Sequence, residues 1–127
     1  MEDCQAHTGE LAQALRRCRR EFEAMGSASR QDIFLALLES ESLCLRVGEL
    51  QARTHLSRAA LSHHLRVLRE AGLVELRRVG TRNYYFPSAD LAEWAKLKAL
   101  FDRICRTVEQ ANAEGWGQDW SPEKEGK

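Results

Sequence analysis

The 127-residue sequence lacks any apolar run that approaches the ~20 residues needed to span a membrane. Its first ten residues, MEDCQAHTGE, lack the basic stretch followed by an apolar run that marks a secretory signal. It also lacks a CxxC pair, because its four cysteines lie far apart in the chain. We therefore expect a cytoplasmic chain with reduced thiols and no membrane partner.

Features that mark an enzyme are missing as well. The sequence contains no glycine-rich phosphate loop and no recognisable grouping of nucleophile and base. His63 and His64 are adjacent, so on a helix their side chains point about 100° apart and are poorly placed to bind one ion together. We expect no catalytic activity, no cofactor and no bound metal.

Net charge is a further absence, because 19 basic and 19 acidic residues cancel over the whole chain. The charges are nevertheless unevenly distributed. Between Gln51 and Pro87 there are seven arginines and only two glutamates, a local charge of +5. Phosphate binding depends on such a local patch rather than on the charge of the whole chain. This stretch is therefore the candidate nucleic-acid contact, and a solvated charged face is the alternative.

Apolar residues recur at helical spacing in five segments. Helices are expected over 9–25, over 29–38 with Ser29 as N-cap, over 47–54, and over 58–71 with Ser57 as N-cap and Gly72 as the residue that stops the helix. A last helix is expected from a cap at Ser88 or Asp90 to about 112. β-Branched and aromatic runs on either side of Gly80 predict a β-hairpin. The predicted fold class is mainly α with a small β-hairpin, in the order α-α-α-α-β-β-α. Residues 1–113 are expected to form one domain, and residues 114–127 a flexible tail containing Trp116 and Trp120.

The third and fourth helices are joined by about three residues, which is typical of a helix-turn-helix, and the hairpin would be its wing. The second helix of this motif enters the major groove with its N-terminal residues near the base edges. If Leu61, Leu65 and Leu68 face the core, the opposite face of the helix meets double-stranded DNA. The predicted DNA-contact residues are Ser57, Arg58, Ser62, His63, Arg66 and Arg69 on the helix and Arg77, Arg78 and Arg82 on the wing.

The predicted contacts differ in role. Arg58 is long enough to reach a guanine edge, and Ser62 and His63 can bond to bases. The later arginines of the helix are placed for phosphates, and the wing arginines for the backbone or the minor groove. His64 lies closer to the buried stripe, so a structural role is expected for it.

Residues 56–86, LSRAALSHHLRVLREAGLVELRRVGTRNYYF, resemble the ArsR/SmtB family of bacterial repressors, and GSASRQDIFLALL at 26–38 resembles the family's second helix. The resemblance covers about residues 26–108. It implies a winged helix-turn-helix homodimer joined through its first and last helices, and a repressor that leaves its operator when an inducer binds. Two reading helices about one DNA turn apart favour a palindromic operator. The family's base-facing positions correspond to Arg58, Ala60, Ser62 and His63, and Ala60 departs from the usual polar residue.

The family's known metal sites do not map onto this chain. The arsenic-type site places two thiols just before a Glu-Leu pair; the pair is present at 49–50, but Arg46 and Gly48 occupy the thiol positions. The zinc-type site requires Asp-x-His and further ligands on the last helix. The corresponding segment is Asp-Leu-Ala at 90–92, and residues 90–112 contain no histidine.

Two cysteines remain as a candidate thiol sensor, because some relatives sense oxidants through a thiol pair that includes a last-helix cysteine. Cys105 lies on the last helix, but Cys18 lies on the first rather than the second. The alternatives are inert packing, the usual role of a buried cysteine, and response to another ligand.

The competing function from a different class is a winged helix that serves as a protein-interaction module without operator specificity. Its wing would then contact a protein partner. The outward positions of the helix predicted over 58–71, the reading helix, are basic and polar rather than apolar, which favours DNA.

Overall fold

The computed structural model describes residues 2–115, with side chains from residue 9 onward. The elements in order are α1 Glu2–Arg17, α2 Arg19–Met25, α3 Ala28–Glu39, β1 Leu45–Arg46, α4 Val47–Thr54, α5 Arg58–Glu70, β2 Val74–Val79, β3 Arg82–Pro87 and α6 Ala92–Ala113. The mainly helical fold with a small antiparallel hairpin is confirmed. Over residues 2–115 no helix is both long and apolar enough to cross a membrane. The predicted tail lies outside the described residues beyond 115, so the boundary at residue 113 stays a prediction.

The predicted first helix is wrong in its bounds, because the chain forms two helices that meet at Cys18. The amide of Cys18 bonds to the carbonyl of Leu15 at 3.0 Å, which tightens the last turn of α1 before α2 begins. Cys18 is fully buried, whereas Leu15, on the same predicted stripe, is 47% exposed. The predicted cap of the next helix is also wrong: the hydroxyl of Ser27, not Ser29, accepts the amide of Arg30 at 3.4 Å.

A third strand, β1, was not predicted. It pairs antiparallel with β3, with Leu45 opposite Tyr85, and the strand order is β1-β3-β2. Two residues are too short to show an alternating pattern, which is why the sequence carries no signal for this strand. Since β1 leads directly into α4, it joins the hairpin to the helix-turn-helix.

The leucine stripe of α5 forms the centre of the core, as predicted. Leu61, Leu65 and Leu68 are at most 1% exposed and belong to one cluster with Ile33 and Leu37 of α3. Burial of each such side chain stabilises the fold by roughly 1.5–3 kcal/mol. The helix that carries the candidate DNA contacts is therefore held rigidly by its opposite face.

The end of α5 fixes the direction of the hairpin. Gly72 has φ +77°, and its amide donates to the carbonyl of Arg69 at 3.0 Å. The amide of Leu73 donates to the carbonyl of Leu68, also at 3.0 Å, and Leu73 is fully buried. These two bonds and the apolar contact form a Schellman cap, which confirms Gly72 as the residue that ends the helix.

A partly buried ion cluster holds the start of α6 against α2. The ammonium of Lys96 lies 2.5 Å from Oε1 of Glu21, whose side chain is 2% exposed, and 2.9 Å from Oε2 of Glu93. Burial alone would raise the pKa of Glu21, but hydrogen bonds with Glu93 and Lys96 outweigh it and hold this pKa below its usual range. Glu93 also packs on Gly72, so the cluster reaches the turn between α5 and β2.

Gly72→Ala is expected to lower the free energy of unfolding by about 1–2 kcal/mol or more, because an L-residue is strained at positive φ. In addition, a Cβ at this position would lie 2.7 Å from Cγ of Glu93. The matched control is Gly9→Ala, where a Cβ meets nothing within 4 Å. The control should be neutral or up to about 1 kcal/mol more stable, because alanine favours a helix interior. Urea unfolding of both variants at one protein concentration measures the difference, and equal values would contradict this role of the turn.

Candidate nucleic-acid interface

The reading helix α5 begins with a well-formed cap. The hydroxyl of Ser57 accepts the amide of Ala60 at 3.1 Å, which satisfies one of the free amides of the first turn. The helix before it, α4, ends at His55 in the left-handed conformation, with φ +59°. Residues 55–57 thus form the short turn that was predicted between the two helices.

The predicted DNA contacts lie on the outward side of this scaffold. Nine of the ten predicted residues are exposed, and Ala60 is half-buried. The exposed residues are Ser57, Arg58, Ser62, His63, Arg66, Arg69, Arg77, Arg78 and Arg82. The polar groups of these nine residues are therefore accessible, but the residues do not form one surface.

A cleft lies between the N-terminal half of α5 and the tip of the hairpin, with a volume of about 670 Å³. It brings together Arg58, Ser62 and Arg82 and adds Arg46, which sequence reasoning missed. The cleft also contains Glu49, whose carboxylate accepts the amide of Arg46 at 3.0 Å and lies 3.7 Å from its guanidinium. We call this the reading cleft; three arginines and one glutamate make it net positive, as phosphate binding requires.

Three of the other predicted arginines lie on the opposite flank of α5. Arg66, Arg69 and Arg77 line a second cleft of about 610 Å³, between the C-terminal half of the helix and β2. Two glutamates, Glu70 and Glu75, share it and reduce its positive charge. The structure therefore places six of the ten predicted contacts in two groups of three, on either side of the helix.

Arg77 and Arg78 are neighbours in sequence but lie on opposite faces of the hairpin. Arg77 is paired with Tyr84, whereas Leu76, one residue earlier, is paired with Tyr85, which packs against the core. Since side chains alternate along a strand, Arg77 lies on the outer face. Its guanidinium carbon lies 5.3 Å from the centroid of the Phe86 ring. Arg78 instead folds towards the tip, where its Nε donates to the carbonyl of Gly80 at 3.2 Å.

Arg30 holds the inner side of the reading helix, a role that sequence reasoning missed. Its Nε donates to the carbonyl of Ala24 at 2.6 Å and its Nη2 to that of Glu23 at 3.2 Å. Its Nη1 lies 3.1 Å from Nδ1 of His64. Because a guanidinium only donates, Nδ1 is the acceptor and the proton of the neutral imidazole is on Nε2. The predicted structural role of His64 agrees with this contact, which ties α5 to α2 and α3.

The two candidate sensor thiols are not brought together in one protomer. Cys18 is fully buried, and its sulfur lies 3.9 Å from the carbonyl oxygen of Lys96. Burial and the nearby Glu21 raise the pKa of the Cys18 thiol, which disfavours the reactive thiolate. Cys105 is exposed. It lies nine residues after Lys96 on α6, which is about 13 Å along the helix axis. This geometry favours packing as the role of Cys18 and leaves Cys105 as the accessible thiol.

Among the described residues no group of three or more His, Cys, Asp or Glu side chains is arranged to hold a metal ion.

Comparison with known proteins places this geometry among DNA-binding regulators. Residues 28–75, from α3 to the start of β2, match the family model described as bacterial regulatory protein, arsR family. The transcriptional activator HlyU of Vibrio cholerae is 38% identical over 90 residues, which cover 71% of this chain and 76% of that protein. The transcriptional repressor SmtB homolog of Synechocystis is 45% identical over 69 residues, which cover 54% of this chain and 49% of that protein.

The fold has solved counterparts as well. An ArsR-like transcriptional regulator from Rhodococcus sp. RHA1 matches with a TM-score of 0.67 at 25% identity, covering 84% of this chain and 96% of that one. This match extends well beyond the segment that the family model covers.

The contact between Arg30 and His64 predicts a dependence of stability on pH. Burial, Arg30 and His63 together lower the pKa of His64, so the folded state takes up this proton less readily than the unfolded chain. The free energy of unfolding should therefore be fully maintained above about pH 6.5, the ordinary histidine value, and fall as the pH drops below it. His64→Gln keeps an acceptor for Arg30 but does not titrate, and it should flatten this fall. His63→Gln, on the exposed neighbour, is the matched control, and equal flattening in both variants would contradict the assignment.

Proposed function

The chain belongs to the ArsR family of bacterial regulatory proteins and is a DNA-binding transcriptional regulator, and from that premise we propose that it binds a palindromic operator as a homodimer and represses transcription until an inducer binds. The two curated relatives act in opposite directions, since one is an activator and the other a repressor. Repression is therefore part of the proposal. The proposed activity is binding rather than catalysis, and its place of action is the cytoplasm.

The reading cleft is the observation that carries the proposal. A base-reading side chain, Arg58, stands at the first position of α5, while Arg82 reaches the same cleft from the wing. We assign Arg58, Ser62 and His63 to base edges, where an arginine can bond to a guanine through two hydrogen bonds. We assign Arg66, Arg69, Arg77, Arg78 and Arg82 to the phosphate backbone, which positions the helix without reading sequence. Ser57 and Ala60 shape the first turn that approaches the bases.

The homodimer is supported by apolar side chains left uncovered on α1 and α6. Leu15 is 47%, Phe101 50% and Val108 40% exposed, and they accompany the half-buried Leu97 and Ile104. Helix α6 packs against α2 through an edge-to-face contact of Phe101 with Phe22, and against α1 through an ion pair of Arg103 with Glu10 at 3.5 Å. A contiguous apolar stripe on such a pair is a typical interface, and a second copy would bury it.

The rival reading, a winged helix that binds a protein partner, would place its contact on the same outward face. The reading cleft contains three arginines, one glutamate and several polar side chains, beside Val47, Ala52 and Tyr85. Its net positive charge attracts the phosphates of DNA of any sequence, which favours DNA over a protein partner.

Arg58→Ala is expected to reduce discrimination between operator and random DNA by about 1–3 kcal/mol, the value of one bidentate contact to a base. Arg78→Ala is expected to weaken binding to both DNAs about equally and to reduce the salt slope by about one. Both effects are measured by fluorescence anisotropy over a range of salt concentrations. The two DNAs are an operator selected from a random pool and a scrambled duplex. Arg106→Ala, an exposed arginine of α6, is the control and should change neither quantity. Equal affinity of the wild type for operator and scrambled DNA would overturn the function.

Val108→Glu is expected to shift the protein from dimer to monomer without unfolding it, because Val108 is 40% exposed in the single chain and the carboxylate would be buried only in the dimer. Sedimentation equilibrium measures the association, and circular dichroism checks the fold. Gln110→Glu adds the same charge at an exposed position nearby and should leave the dimer intact. If both variants dimerise as the wild type does, α6 is not the interface.

A further inference from the structure

The outer face of the sheet carries a groove that shares one residue, Arg77, with the predicted DNA contacts. Four of its residues lie on β2 and β3 and face away from the core, and two come from the loop before β1. We call it the outer groove; it is lined by Leu43, Cys44, Arg77, Val79, Tyr84 and Phe86 and has a volume of about 680 Å³. Small-molecule sites in proteins commonly measure ~300–1,000 Å³.

The surface of the outer groove is unusually apolar for an exposed sheet face. Val79 is 58% and Leu43 47% exposed, and both lie beside the aromatic rings of Tyr84 and Phe86. Leu43 also has φ +58°, a conformation that a side chain of this size rarely adopts. Strained residues of this kind persist where surrounding contacts hold them, and they are common at ligand sites.

The charge of the outer groove has one sign. Arg77 is the charged residue in its lining. Over residues 9–115 no carboxylate lies within ion-pair distance of its guanidinium. Glu75, two residues earlier on the same face, lies 3.1 Å from the hydroxyl of Ser88, which donates to it. An apolar surface beside one unpaired cation is complementary to an apolar molecule with one anionic group.

We propose that the outer groove binds a small amphiphilic anion, with its apolar body against Val79, Tyr84 and Phe86 and its acid group on Arg77. An ion pair with this arginine is directional, because carboxylates match the planar fork of the guanidinium. A ligand of the opposite charge would place its cation against Arg77.

This site deepens the proposed function and rests on it for its biological effect. Arg77 also lines the second cleft beside α5, where we assign it to the DNA backbone. A bound anion neutralises Arg77 and holds it on the outer face, so ligand and DNA compete for one side chain. Because linkage is reciprocal, DNA must weaken the ligand by the same factor as the ligand weakens DNA.

Binding is tested first without DNA, on the full-length protein, with decanoate as the probe. Cys44 is half-buried in the groove, and its alkylation by iodoacetamide is followed by peptide mass spectrometry, with the exposed Cys105 as internal reference. At about ten times its Kd, decanoate should slow the alkylation of Cys44 about tenfold, because the thiol reacts only in the free fraction. Alkylation of Cys105 should not change.

Two comparisons decide the chemistry of the ligand. Decyltrimethylammonium has a similar apolar body with the opposite charge and should protect Cys44 far less. Arg77→Gln should remove the preference for decanoate. Equal protection by both probes in the wild type would overturn the assignment of the acid group to Arg77, and absence of protection by decanoate would overturn the site. Protection that instead rises with protein concentration alone would show that a second copy covers the groove, which also overturns the proposal.

The effect on DNA is tested separately with a variant that fills the groove. Ala89 lines the groove at the end opposite the wing tip and is exposed, so Ala89→Trp should block the ligand and retain DNA binding. Decanoate should lower the operator affinity of the wild type and of the control Ala113→Trp, but not that of Ala89→Trp. Equal responses of all three proteins would overturn the coupling. If the wild type does not bind its selected operator without decanoate, the proposed function fails, while the result at Cys44 still decides whether the site exists.

Discussion

The left-handed turn at Gly72 is the constraint on which the rest of the structure depends. It ends α5 with two backbone hydrogen bonds and sends the chain directly into β2, so it sets the angle between the reading helix and the wing. Both basic elements then face one cleft. Glu93 of α6 packs on the same glycine and joins the ammonium of Lys96, which also binds the buried Glu21. The helix proposed for dimerisation is thereby connected to the turn that positions the wing.

Two further ties hold the reading helix from other directions. The short strand β1 pairs with β3 and continues into α4, so the wing cannot shift without the helix-turn-helix. Arg30 binds carbonyls at the end of α2 and the ring of His64 on α5. These ties leave the leucine stripe of α5 buried and its arginines free for DNA.

The hairpin contributes side chains to both the reading cleft and the outer groove, so the proposed DNA contact and the proposed ligand site lie on one element. Its inner face joins the core through Tyr85 and meets the reading cleft at the tip. Its outer face carries apolar side chains and Arg77, which the outer groove shares with the flank of α5. The two thiols provide no comparable link. Cys18 is buried beside Lys96, whereas Cys105 lies about 13 Å beyond Lys96 along α6.

The sequence by itself determined the features that local rules govern. The change of apolar period from about 3.6 to 2, the cap at Ser57 and the glycines at 72 and 80 predict α5 and the hairpin, and the local excess of arginine predicts their partner. Tertiary structure alone decided the break at Cys18, the strand β1, the contact of Arg30 with His64 and the place of Arg46 in the cleft. It also decided that Arg77 rather than Arg78 lies on the outer face of the hairpin. These features join residues far apart in the chain or depend on register, and no local pattern of residue types encodes which distant partner a side chain will meet.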